Sequence, residues 1–273
     1  MTDFLCDIAN RQAAALQKYG ITAEEPTEEP ITLADAQKHC RVDVYETGSP
    51  PETVSDDDTW LTEIGIPAAR EYCEVELGRA LAPRDVLLVT SAFPSVTVDS
   101  SAGAALSLPF GPVQSITSVK YLDQAAADAA YDEAYQDAYD TEFGNSGDEA
   151  AADAAGIAAG DIAAAAALEQ TLASTAYELD AVSVPARLIL TDGSSWPSSS
   201  PTRPDSVRVS YVTGYSIPGE SPQVYALPRL ARAAMLVMLA YLYEHRGDES
   251  MTPPALVEAL LSRLPGRERM GFA

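Results

Sequence analysis

The stretch DDDTWLTEIGIPAAREYCEVELGRALAPRDVLLV, residues 56–89, changes its hydrophobic period once, and that change decides the fold class. Leu61, Ile64, Ala68, Tyr72 and Val75 recur at spacings of three and four, the pattern of one buried helix face. Asp56, Asp57 and Asp58 put negative charge at the start of this helix, where the macrodipole favours it. Gly78 is placed to close it in the left-handed conformation. Pro67 interrupts the face and must kink or divide the helix, because its ring removes a backbone donor and crowds the preceding turn. From Arg84 the period drops to two, and Val86 to Val89 open a strand. A helical unit that passes straight into a strand-rich one predicts an α+β chain.

Working outward, Thr32 is a good N-cap for a short helix, with Asp35 at the third helical position and an end near Arg41. Residues 46–55 read as a polar loop. Met1 to Pro30 begins with a short helical pattern (Phe4, Leu5, Ile8, Ala9, Leu16) and passes into a Glu/Pro-rich run that buries too little to order itself. Residues 1–30 are therefore expected to form an arm that orders on a partner. On the other side, period-two segments at Val96–Val98, Leu106–Leu108, Ile116–Leu122, Ala176–Leu179, Ala186–Thr191 and Ser206–Thr213 alternate with Pro- and Gly-bearing turns. They predict a small antiparallel β-sandwich or barrel.

Residues 124–175 form an acidic, Ala-rich insert in which short helices are expected, with apolar faces too thin to hold them alone. Tyr131, Tyr135 and Tyr139 repeat every four residues there, either as a packing face against the sheet or as a contact for a neighbouring protein. Leu227-Pro228 opens what reads as the longest helix, to about Arg246, apolar on more than one side. Leu230, Met235, Met238 and Leu242 are its candidates for packing between subunits. A last helix, Ala255–Leu264, follows Pro253-Pro254 and precedes a basic tail. The segments so read are an arm (1–30), helical stretches at 31–82 and 222–273, and between them a strand-bearing stretch (83–221) that includes 124–175.

A chain of 273 residues with 47% hydrophobic content can bury a sizeable core. Its net charge of −24 argues against simple nucleic-acid binding, which draws on Lys and Arg releasing counterions. The charge is uneven: 14 acidic residues and no Lys or Arg from Asp123 to Asp180, against six arginines and five acids from Val224 to Ala273. Cys6, Cys40 and Cys73 form no CxxC pair, and His39 and His245 stand alone, so neither a metal centre nor a proton relay is expected. No phosphate-cradling glycine loop occurs. Ser194 and Ser195 lack a nucleophile elbow, and the consecutive aspartates 56–58 lack the alternate spacing of a calcium loop. No apolar run reaches the length of a membrane span, and Met1–Asn10 does not read as a signal peptide, so cytoplasmic synthesis is expected.

The order of short motifs resembles that of the head-to-tail connector (adaptor, or head-completion) proteins of tailed phages. Ile-Thr-Leu-Ala-Asp-Ala (31–36) leads to Arg41-Val42-Asp43, and Asp56 to Leu61 opens a helix through Ala68-Ala69-Arg70-Glu71-Tyr72 to Leu77-Gly78-Arg79-Ala80-Leu81. Leu108 to Ile116, Tyr121-Leu122-Asp123, Trp196-Pro197, Pro204 to Val209, Tyr211 to Tyr215, Leu227-Pro228 and Tyr243-Glu244-His245-Arg246 continue it, over about residues 31–264. The resemblance implies helices from both ends packing together around an inserted β-lobe. It further implies a homo-oligomeric ring, commonly a dodecamer, between the portal protein and a tail-side stopper or tail terminator, located in the virion neck. DNA would pass through the channel without specific binding; no enzyme activity, cofactor or membrane is implied. Arg263, Arg267 and Arg269 would engage the portal. The acidic surface would line the lumen or lie outside on the insert. The insert, the arm and Pro67 depart from the family pattern. A non-catalytic ligand-binding module with a β recognition lobe is the alternative reading, and an enzyme acting through carboxylates ranks behind it.

Overall fold

The computed structural model describes residues 2–18, 20–26, 28–48, 52–94, 104–197, 203–215, 227–246, 248 and 252–264. Helix α1 (Thr2–Lys18) turns at Gly20 into the short strand β1 (Ile21–Ala23). Helix α2 (Leu33–Cys40) is capped as its sequence predicts: the Thr32 hydroxyl accepts from the Asp35 amide, and Arg41 closes it with φ 54°. The expected polar loop is instead a hairpin of β2 (Tyr45–Thr47) and β3 (Glu52–Val54). The three residues of β2 are all exposed, so that strand has no buried face to leave a period in the sequence.

The helix quoted at the outset is built in three pieces, α3 (Asp58–Trp60), a π-helical turn (Leu61–Gly65) and α4 (Ile66–Leu77), closed by Gly78 at φ 68°. Pro67 lies in the first turn of α4, where a missing donor costs little. The wide turn upstream of it shifts the buried face. Leu61, Ala68, Tyr72 and Val75 are buried as expected, but Ile64 is 38% exposed and Ile66 takes the inward position.

Strands β4 (Arg84–Thr90), β5 (Leu106–Leu108) and β6 (Val113–Leu122) lead to helices α5 (Gln124–Ser146) and α6 (Glu149–Leu168). Strands β7 (Glu169–Thr171), β8 (Tyr177–Asp180), β9 (Ala186–Leu190) and β10 (Val207–Thr213) and helices α7 (Arg229–Glu244) and α8 (Ala255–Leu261) complete the order. The strand expected at Val96–Val98 lies outside the described residues. The fold class is α+β. A five-stranded antiparallel sheet, β1-β4-β10-β6-β7, and a three-stranded one, β5-β9-β8, share one core. In β10 the alternation is strict: Val207, Val209, Tyr211 and Thr213 are buried while the residues between them are not. Leu108 and Leu188 of the smaller sheet are fully buried in the same cluster.

A second core joins helices from both ends of the chain, with Leu61, Ala69, Cys73 and Leu77 against Met235, Met238, Leu239, Leu242, Val257 and Leu261. The longest helix is α5, not α7, and α6 is longer than α7 as well. Alanine-rich segments were expected to break into short helices for want of an apolar face. They hold together because α5 and α6 supply that face to each other. Among the described helices only α6 is long and apolar enough by composition to cross a membrane, which its alanines and glycines produce despite Asp153 and Asp161.

Residues 1–30 are not a detached arm. β1 pairs with β4 through Ile21↔Leu88, Thr22↔Leu87 and Ala23↔Val86, Ile21 is buried, and α1 packs on α4. The Glu-rich run that follows is held by charge where burial of apolar surface could not hold it, because two of its carboxylates reach a guanidinium buried in α4.

Candidate functional site

That guanidinium is Arg70, 1% exposed, and it sits between the two cores. It donates to Glu29 at 3.0 Å, to Glu25 at 3.2 Å and to Glu74, one turn on in α4, at 3.1 Å. Glu74 is wholly buried and also accepts from Arg84 of β4 at 2.7 Å and from the Leu81 amide at 2.7 Å. Glu74 thus ties helix α4 to strand β4 and to the turn between them, and Arg70 ties both to the N-terminal segment. Burial disfavours the Arg70 charge, but the carboxylates of Glu74, Glu29 and Glu71 outweigh it and raise the guanidinium above its ordinary value. Burial pushes Glu29 and Glu71 up, against the pull of Arg70. Beyond the helical spacing of Arg70 and Glu74, no pattern in the sequence marks this cluster, since its members come from three stretches: Glu25–Glu29, α4 and Leu81–Arg84.

The triplet Asp56-Asp57-Asp58 is used for tertiary contacts more than for capping. Asp57 makes no side-chain cap; it accepts from Tyr243 Oη and from Arg246 Nη1 of the α7 end, which holds its carboxyl below the usual range. Asp56 accepts from Tyr45 at 2.8 Å, and Asp58 from Gln37 at 2.6 Å and the Ser55 amide at 2.7 Å. Arg246 also stacks over the rings of Tyr243 (4.2 Å) and Trp60 (5.2 Å). Among the described residues no group of three or more His, Cys, Asp or Glu is arranged to hold a metal.

Three of the four residues predicted to pack between subunits face inward. Met235, Met238 and Leu242 are 0–1% exposed within the single chain, because α2, α4 and α8 all pack on α7. Leu230, in the first turn, remains 37% exposed. These three side chains are therefore already covered within the chain, where a contact with a neighbouring subunit was expected. Arg263 is exposed just beyond α8. Arg267 and Arg269 lie outside the described residues.

Tyr131, Tyr135 and Tyr139 pack on neither sheet. They stack in sequence, with centroids 6.0 Å apart, and Tyr131 and Tyr135 lie over Gly160 and Gly156 of α6, where an added Cβ would come within 2.6 and 2.7 Å of the rings. Tyr135 also donates to Asp153 at 2.6 Å, a bond that pushes the phenol up to about 12. The four-residue repeat was the right signal for a packing stripe; the glycines spaced by four at 156 and 160 are the matching half.

The pair α5–α6 is inserted in a β-hairpin. Leu122 of β6 is the register partner of Glu169 of β7, and the Asp123 amide donates to the Leu168 carbonyl at 2.8 Å. Elsewhere, the turn 181–185 is fastened by Asp180, which accepts from the Val182 and Ser183 amides, the Ser183 hydroxyl and Arg187, and leaves Val182 94% exposed. A small cavity of about 190 Å³ lies between this turn, Arg79, Pro112 and Tyr215.

No protein-family profile and no curated protein matches the sequence. In fold, two solved chains match over 90% of this chain and 100% of their own length. One comes from the neck of an empty gene transfer agent particle computed with C6 symmetry (TM-score 0.51, 20% identity). The other comes from the virion of a native gene transfer agent particle (TM-score 0.51, 21% identity). The α+β fold described above is therefore one also found in components of such particles.

Proposed function

We propose that this chain is a structural protein of a phage-like particle, located in the neck, where it forms an adaptor ring between the portal and the tail-side stopper or terminator. The observation that carries the reading is likeness of fold over nearly the whole chain to a component of a gene transfer agent neck. The motif order from Ile31 to Leu264 supports it independently, because it follows the connector pattern in helix, β-lobe and helix alike. Composition agrees: a chain of net charge −24 repels phosphate, which suits a wall that DNA slides past. The reading involves no catalytic step and no cofactor.

The exposed Arg263, with Arg267 and Arg269 after it, is the proposed portal contact, and a dodecameric ring is the proposed stoichiometry. Electron microscopy of particles, or of the protein mixed with portal, tests the reading. A ring of this chain at the DNA exit channel is the expected result. Absence from particles together with failure to bind portal would sink it. Deleting residues 266–273 is expected to abolish portal binding while the fold persists; undiminished binding would remove the arginine contact.

A further inference from the structure

The turn that joins the two cores is short and shared by both. Gly78 ends α4 at φ 68°, and Ala80 and Leu81, adjacent in sequence, are buried in different cores, Ala80 among the strands and Leu81 among the helices. The chain leaving β10 crosses this turn closely: at Gly214, with φ 105°, an added Cβ would come within 2.1 Å of the Ala82 carbonyl oxygen. The pair of Glu74 with Arg84 closes the turn across its two ends. Away from it, none of α2, α4, α7 and α8 packs substantially on a strand of either sheet among the described residues.

The N-terminal segment is laced across both cores. α1 packs on α4, β1 pairs with β4, and Glu25 and Glu29 then come back to Arg70 of α4. Its grip on the sheet is slight. β1 pairs through three residues, and Ile21 is the one buried side chain among the described residues of 20–29. Letting go strands no buried charge, because Arg70 keeps Glu74 at 3.1 Å with Glu71 3.7 Å away. Elements held by few buried apolar contacts open locally, ahead of the whole fold.

We infer that residues 20–29 act as a clasp. Closed, it fixes the angle between the sheets and the helical core. Open, with β1 off β4 and α1 still on α4, it lets the two turn about residues 78–84, a hinge made of element-terminal and loop positions. Such a clasp belongs to the single chain and does not depend on where in a particle the chain sits.

Native-state hydrogen exchange of the full chain reads the clasp through two amides: Val89, which donates to the Gly20 carbonyl at 2.8 Å, and Glu24, which donates to the Asp85 carbonyl at 3.0 Å. Both are expected to exchange at least about tenfold faster than the amides of β10, the central strand. Glu25→Gln combined with Glu29→Gln is expected to speed them about tenfold again and to leave β10 unchanged. The angle is read by spin labels at Lys38→Cys of α2 and Glu178→Cys of β8, both exposed, in a chain carrying Cys6→Ser and Cys40→Ser, with Cys73 buried. One narrow distance distribution is expected for the closed chain, and a broader one with Ile21→Asp, which puts a charge where β1 must bury its side chain. Val89 and Glu24 exchanging at the β10 rate would show that β1 leaves only when the whole fold does. A glutamine variant that speeds β10 equally would show the same. An Ile21→Asp chain that frees both amides yet keeps the narrow distance would show that the turn holds the angle by itself. Each of these three results overturns the inference. Circular dichroism of every variant separates opening from unfolding, and exchange in the glutamine variant decides the matter where Ile21→Asp does not fold.

Discussion

Glu74 is the residue on which most depends. Its two oxygens are shared by Arg70, Arg84 and the Leu81 amide in a site closed to water. Breaking a buried ion pair by removing one partner strands the others, at about 3–5 kcal/mol. Glu74→Gln is expected to lower stability by about that amount in chemical denaturation, and replacing Glu25, which is mostly exposed, by under about 1 kcal/mol. Asp180 offers a different test. Hydrogen bonds from Ser183 lower its carboxyl from 3.8 to about 2. A depressed carboxylate contributes stability that is complete above its unfolded value and is lost as pH falls through the folded one. The wild type is thus expected to lose stability between about pH 4 and pH 2 by a margin that Asp180→Ala lacks, measurable as thermal midpoint against pH. Glu29 and Glu71, raised by burial, act in the opposite sense: their contribution is present at low pH and lost as pH rises through their folded values.

Among elements, the α5–α6 hairpin is the one that can be removed. Its ends meet at the Leu122↔Glu169 pair, a spacing that a two-residue turn bridges in any antiparallel hairpin. Replacing residues 123–168 by Asn-Gly is expected to leave a folded body whose unfolding free energy changes by less than about 2 kcal/mol, with helical circular dichroism reduced by the missing helices. A collapse of the remaining structure would show that the insert supports the lobe. The sequence made the helical content of this segment visible through alanine and the seam through its tyrosines. It did not show that the seam closes on glycines of a second helix, because that pairing requires the chain to reverse at Gly147, whose φ is 68°. The π-turn at Leu61–Gly65 escaped notice for a related reason: a periodicity built on 3.6 residues per turn has no place for a wider one, and so it put Ile64 inside.

For the whole molecule the dominant long-range quantity is charge. At −24 the compact state repels itself, and screening relieves that repulsion. The thermal midpoint is expected to rise as NaCl increases from about 50 to 500 mM, where the Debye length falls from about 14 to 4 Å; a midpoint that falls would mean that pairs such as Arg208–Glu169 outweigh the net repulsion. Sequence alone determined the α+β class, the Thr32 cap, the Gly78 stop and the positions of strands β4 to β6 and β8 to β10, because each is set by residues a few positions apart. Tertiary structure decided the rest. Strand order β1-β4-β10-β6-β7, the recruitment of Ile21–Ala23 by β4 and of Glu25 and Glu29 by Arg70, and the inward turn of Met235, Met238 and Leu242 depend on contacts between segments far apart in the chain. An apolar face states that it will be covered and does not state by what; here the cover came from the protein's own two ends.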